Sequence, residues 1–210
     1  MGLNAASIYK KLYSHFGKQY WWPAESAFEV IIGAILTQNT AWVNVEKAIK
    51  QLKKNKLLDP ARLRKATHKK IASAIVPSGY YNVKTKRLKE FLKFFFENYQ
   101  ASLKKMSGID YKRMRLELLS VKGIGPETAD SILLYALRKP VFVVDAYTRR
   151  ILTRHKLIEG QSSYDEIQKY FIDNLQGNVK LFNEYHALLV KLGKVYCLKN
   201  KPKCRICPLQ

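Results

Sequence analysis

Residues 118–130 read Leu118-Leu119-Ser120-Val121-Lys122-Gly123-Ile124-Gly125-Pro126-Glu127-Thr128-Ala129-Asp130, and Val143-Val144-Asp145 follows soon after. The first stretch breaks into a helix end, a tight glycine turn and a new helix start. Two glycines so close together permit backbone angles that other residues resist. Pro126 suits the first position of a helix, where its missing N–H costs nothing. Free amides at such a start can hold an anion, and in a strongly basic chain the anion to expect is a DNA phosphate. A carboxylate, Asp145, comes within about 20 residues, past the end of a second helix of ordinary length. The pattern describes a grip on a DNA backbone that places one acid beside a sugar.

The 210 residues carry 38 Lys and Arg against 16 Asp and Glu, a formal net charge of +22. That exceeds what solubility needs and favours a polyanionic partner. A lysine-rich, heat-adapted proteome would raise the charge as well, and charge alone does not separate DNA from RNA or an anionic membrane. Hydrophobic residues make up 47%, which suits a packed core rather than a disordered chain. The length allows one compact domain or two small lobes. No apolar run approaches the ~20 residues of a membrane span. The start, Met1-Gly2-Leu3-Asn4-Ala5-Ala6, has neither the basic region nor the apolar core of a secretory signal. Ala6 stands where a myristoylation signal needs Ser or Thr. A cytoplasmic, nucleoid-associated monomer without a membrane partner is the expectation. The three cysteines, all near the C-terminal end, do not make a disulfide framework.

The fold class is all-α. Residues 6–16 mix apolar and basic positions at helical spacing. Pro23-Ala24-Glu25-Ser26 starts a helix whose apolar face is Phe28, Ile31, Ile32, Ile35 and Leu36. Further helices are expected over 43–52, 82–99, 111–119, 128–137, 146–154, 164–175 and 181–195. Asp59-Pro60-Ala61 and Thr67-His68-Lys69 cap two shorter ones, and Pro77-Ser78-Gly79 is a turn. Lys139-Pro140 breaks the chain before Val141-Phe142-Val143-Val144, which is expected as a buried extended connector because no partner strand is in sight.

On these residues the chain resembles the endonuclease III superfamily of helix-hairpin-helix DNA glycosylases. The similarity runs from Leu36-Thr37-Gln38-Asn39-Thr40 to the terminal cysteines. A hairpin alone is moderately specific, since non-enzymatic DNA-binding proteins carry one. Hairpin, spaced Asp and cysteine loop together are strongly specific. The resemblance implies two helical lobes: a six-helix barrel lobe over 23–138 containing the hairpin at 118–137, and a second lobe of 1–22 with 139–210.

Asp145 is the expected catalytic residue. Breaking a base–sugar bond builds positive charge on the sugar; a fixed carboxylate nearby stabilises that charge or activates the incoming water. Locally, Asp145 before Ala146-Tyr147-Thr148 is also a good helix N-cap, and the two roles can coexist. Asp130 is a weaker candidate, expected on a solvent-facing side of its helix. At the position of Glu127, the branch that also cuts the backbone has a lysine that attacks the sugar as an amine; Glu127 cannot do this. Its local role is a favourable charge in a helix first turn.

Glycosylases flip the target nucleotide and fill the gap it leaves. Trp21, Trp22 and Trp42 offer stacking surface, though paired tryptophans also serve core packing. Gln38 and Asn39 match where family members insert a polar side chain, while Asn39 equally suits a helix C-terminal cap. With Glu127, these six form the expected base pocket. Lys122, Gly123, Gly125 and Thr128 are expected to hold one phosphate, and Gly79, Tyr81 and Lys84 a second. Cys197-x6-Cys204-x2-Cys207 has the spacing of the first three ligands of the family's [4Fe-4S] cluster, whose fourth position lies past Gln210. A zinc knuckle, with His186 as the nearby histidine, is the alternative.

The Trp-Trp-Pro segment, the Gln38 segment and Glu127 together resemble the 3-methyladenine DNA glycosylase branch. That implies a monofunctional enzyme of base excision repair, releasing alkylated purines from damaged double-stranded DNA. The alternatives are an endonuclease III-type enzyme for oxidised pyrimidines or mismatched thymine, with or without lyase activity, and a non-catalytic DNA-binding protein.

Overall fold

The computed structural model describes residues 2–210, and all regular structure among them is helical. In chain order the helices are α1 (Ala5–Phe16), α2 (Ala27–Leu36), α3 (Trp42–Lys54), α4 (Pro60–Lys65), α5 (His68–Ile75) and α6 (Tyr81–Tyr99). They continue as α7 (Leu103–Gly108), α8 (Tyr111–Ser120), α9 (Pro126–Ser131), α10 (Ala146–Arg154), α11 (Tyr164–Asn174) and α12 (Val179–Val195). The chain divides into two units, one of Ala24–Lys139 and one of Pro140–Gln210 with the residues up to Pro23. None of the described helices is long and apolar enough to cross a membrane.

In the unit of Ala24–Lys139, α2 is apolar on every side and therefore central, buried from Phe28 to Leu36. Against it α6 lays Leu88, Phe91, Leu92 and Phe95, with the rings of Phe28 and Phe95 stacked 6.4 Å apart. Asp59 and Thr67 cap α4 and α5 through the amides of Arg62 and Lys70, as their sequence signals predict. Eight α-helices occupy this unit rather than six. Helix α7 was illegible because it is one and a half turns capped by Ser102, too short to show a period. The helix expected over 128–137 starts earlier, at Pro126, and passes at Ile132–Ala136 into a π-helical turn.

The other unit is built on aromatic packing. Phe142 and Phe171 stack 3.7 Å apart, and Phe182 and Tyr185 meet Phe142 edge-on. The buried Tyr185 hydroxyl donates to the Ala5 carbonyl at 2.8 Å. Residues 141–144 are extended and buried without a partner strand. Side chains of α11 satisfy their backbone instead. Gln168 Nε2 donates to the Phe142 carbonyl at 2.7 Å, and the Val144 N–H donates to the Tyr164 hydroxyl at 3.3 Å. The connector ends by delivering Asp145 to the head of α10.

Candidate active site and nucleic-acid interface

The hairpin is tight because one glycine lets it be. Gly123 sits at φ +91°, and a Cβ there would lie 2.4 Å from Cγ of Arg87. The stem of Arg87 occupies that space. Gly125 differs from expectation: its φ is −97° with ψ 179°, ordinary extended backbone, and a Cβ there would meet nothing within 4 Å. Only one of the two glycines is used for backbone freedom. Gly125 leads into Pro126 at the start of α9, with Glu127 exposed in its first turn.

Gln38 ties the hairpin together. Its Nε2 donates to the Gly123 carbonyl at 2.9 Å and to Thr128 Oγ1 at 2.9 Å, while its Oε1 accepts from Arg87. The structure thus brings Gln38, Gly123 and Thr128 into one cluster. Thr128 is buried with its hydroxyl engaged, so it is not an exposed phosphate contact; Lys122, Gly123 and Gly125 are the members of that expected set at the surface. Asn39 is exposed at φ +52°, a left-handed residue just past α2. Trp42 opens α3 and is half-buried.

Two expectations are corrected in this unit. Asp130 does not face solvent: it is fully buried, and Arg115 on α8 reaches its two oxygens at 2.9 and 3.3 Å. It braces the two hairpin helices. Lys84 is not a phosphate contact, because it is 1% exposed. Its ammonium donates to the Leu36 carbonyl at 2.7 Å, to Thr40 Oγ1 at 2.6 Å and to the Ser78 carbonyl at 2.6 Å. Burial, and then the nearby Arg87 cation, bring its pKa down to about 8. Sequence could not separate it from the solvated lysines around it. Its neighbours carry the surface instead: Gly79 at φ +67° with open space around it, Tyr80 72% exposed and Tyr81 39% exposed.

In the other unit, Asp145 caps α10. Its Oδ1 accepts from the Thr148 N–H at 2.7 Å, and Oδ2 stands 3.5 Å from Nε2 of His186 on α12. The side chain is 12% exposed. Burial pushes its pKa up, but contact with His186 and the Thr148 amide and hydroxyl outweigh this, and the net direction is downward. The carboxyl is therefore ionised at neutral pH, with Oδ1 held by the Thr148 amide and Oδ2 facing the imidazole of His186. Sequence reasoning met His186 only as a possible zinc ligand; a single histidine within the apolar run of α12 was the available signal.

Trp21 and Trp22 meet edge to face with centroids 6.0 Å apart, and the Lys194 ammonium lies 5.8 Å from the Trp21 ring centre. The three cysteines line one cavity of about 300 Å³ together with Arg154 and His155. Arg154 donates to Cys197 Sγ at 3.3 Å, and Lys199, Lys201, Lys203 and Arg205 face solvent around the loop. Thiol donors beside a guanidinium suit an iron–sulfur cluster chemically. They number three, and among the described residues no group of three or more His, Cys, Asp or Glu is placed to hold a metal ion. The metal role expected of Cys197, Cys204 and Cys207 is thus not supported by their geometry.

A family model described as the HhH-GPD superfamily base excision DNA repair protein matches residues 32–176. The chain is 47% identical over 205 residues to MJ1434 of Methanocaldococcus jannaschii, named as a candidate DNA repair glycosylase, covering 97% of this chain and 92% of that protein. It is 28% identical to endonuclease III of Sulfolobus acidocaldarius, over 88% of this chain and 80% of the relative. Among solved structures it resembles the H. pylori 3-methyladenine DNA glycosylase MagIII bound to 1,N6-ethenoadenine. That match has a TM-score of 0.79 and 29% identity, over 91% of this chain and 98% of that one. A glycine hairpin braced by Gln38, an ionised acid heading α10 and relatives matched along nearly the full length lead to one conclusion: this chain belongs to the HhH-GPD superfamily of base excision DNA repair proteins.

Proposed function

We propose that the protein is a monofunctional DNA glycosylase for alkylated purines of the 3-methyladenine type, hydrolysing the N-glycosidic bond with water. Membership of the superfamily makes it a DNA glycosylase of base excision repair. The observation that carries the finer reading is Glu127: the exposed position in the first turn after the hairpin holds a carboxylate, so no amine there can attack the sugar. The likeness to a 3-methyladenine DNA glycosylase over nearly the whole of both chains supports the substrate class.

The chemistry follows from Asp145. As the base departs, the C1′–N bond breaks and its electron pair leaves with the purine. An alkylated purine carries positive charge and departs neutral, so the enzyme need not supply a strong acid. Positive charge grows on the sugar, where the ionised Asp145 carboxylate stabilises it. Water then bonds to C1′ and gives its proton to that carboxylate. The cationic base is attracted to tryptophan faces by the force that already draws Lys194 to Trp21. Lys122, Gly123, Gly125, Gly79 and Tyr81 present the surface for DNA backbone, and the net charge of +22 supplies long-range attraction.

A second reading, an endonuclease III-type enzyme for oxidised pyrimidines or mismatched thymine, is favoured by the endonuclease III relative along most of the chain. A panel of duplexes with one lesion each separates the two. Release of alkylated purines with the strand left intact supports the first; release of oxidised pyrimidines or thymine selects the second.

A further inference from the structure

We infer that His186 is the positioning residue for Asp145: it holds Oδ2 in the orientation that activates water. This rests on the role given to Asp145 above.

Helix capping alone does not ask for a histidine. Among the described residues, the other aspartate caps, Asp59 and Asp110, accept from backbone amides of their own helices alone. Asp145 spends Oδ1 on that task, through the Thr148 N–H at 2.7 Å. Its Oδ2 is the oxygen that capping does not require. Against it stands Nε2 of a histidine 5% exposed, brought from a helix remote in sequence. At 3.5 Å the contact is long for a hydrogen bond and within ion-pair range. Such contacts commonly tighten when substrate arrives.

The placement is registered by the whole α10–α12 junction. On α12 the Gly193 position lies two turns beyond His186, on the same face. A Cβ on Gly193 would lie 2.3 Å from Cδ1 of Tyr147, so the tyrosine ring is seated directly on this glycine. Arg150 donates to the Cys197 carbonyl at 2.8 Å and to the Gly193 carbonyl at 3.2 Å. Contacts at two levels of α12, and a third just past its end at Cys197, fix the first turns of α10; the one at the head of α10 is His186 on Asp145. An imidazole with its proton on Nε2 gives Oδ2 a donor at one lone pair and leaves the carboxylate a second direction for water.

The test uses the full chain with His186→Leu, His186→Gln and Asp145→Asn, in single-turnover base release from a duplex carrying one alkylated purine. His186→Leu should slow release about 100-fold, the order expected when a reacting group is misplaced by an ångström. DNA Kd should stay within about twofold, as a side chain 5% exposed offers no surface to a phosphate. His186→Gln, whose amide can donate to the same oxygen, should recover most of the rate. Adding His186→Leu to Asp145→Asn should cost nothing further. Full activity in both histidine variants overturns the inference, as does loss in Leu and Gln alike with unchanged melting temperature. If the wild type releases no base from any duplex, the glycosylase reading falls instead. The positioning role is then decided by carboxyl NMR titration: the Asp145 pKa should rise in His186→Leu and return towards its original value in His186→Gln, and no rise overturns it.

Discussion

Lys84→Met keeps most of the volume of a buried lysine and removes its charge. Three acceptors lose an N–H donor: the carbonyls of Leu36 and Ser78 and the hydroxyl of Thr40. Thr40 Oγ1 also donates to the Ser78 carbonyl at 2.5 Å, so those two retain one another. The Leu36 carbonyl, at the last turn of α2, bears the full loss. A buried acceptor left without its partner costs ~1–3 kcal/mol, partly offset because no ammonium need be desolvated, so the variant should lose about 1–2 kcal/mol. Urea unfolding at neutral pH measures this directly, and for a chain of this size Tm should fall by roughly 2–8 °C. The folded variant should bind DNA with an unchanged salt dependence, whereas losing a phosphate contact would lower the slope by about 0.9. The pH dependence has a definite sign. The folded pKa of about 8 lies below the ordinary 10.5, so the unfolded chain binds more protons between those values. Stability contributed by this group therefore rises with pH across that window, and the gap between wild type and variant should widen. A loss under about 0.5 kcal/mol, ordinary for a surface site, or a reduced salt slope, refutes the buried-strut account.

The two hairpin glycines should respond differently. Gly123→Ala meets both a left-handed φ and the Arg87 stem and should cost ~1–3 kcal/mol, while Gly125→Ala, extended and in open space, should cost under ~1 kcal/mol, the difference between Gly and Ala at an N-cap; urea midpoints decide. Asp145 has a lowered folded pKa, so its contribution to stability is full above the unfolded value near 4 and is lost as pH falls through the lower folded one; Asp145→Asn should flatten that acid limb in pH-dependent unfolding. With a thiol-reactive dye, exposed Cys204 should react first and buried Cys197 last, with Cys207 slowed by the burial that raises its pKa. Protection of all three thiols, with visible absorption and iron bound, would instead indicate a cluster.

Much of the fold was legible because helices announce themselves locally. Phe28, Ile31, Ile32 and Ile35 carry the helical period of α2, and Asp59, Thr67 and Asp145 stand where caps belong. What sequence concealed were pairings between residues distant along the chain. Nothing near Lys84 or Asp130 signals burial, since the acceptors of one and the Arg115 partner of the other lie on different elements. The same holds for His186 against Asp145. Gly125 misled for another reason: a glycine required for φ and one tolerated at a helix start look identical in sequence.

The claim at the centre is that an ionised Asp145 directs water, not a protein amine, to the sugar. Borohydride trapping during turnover of an alkylated-purine duplex tests it most directly. Free base should appear, lost in Asp145→Asn while DNA binding persists, with no protein–DNA adduct on a denaturing gel. A covalent adduct with the wild-type chain would contradict it.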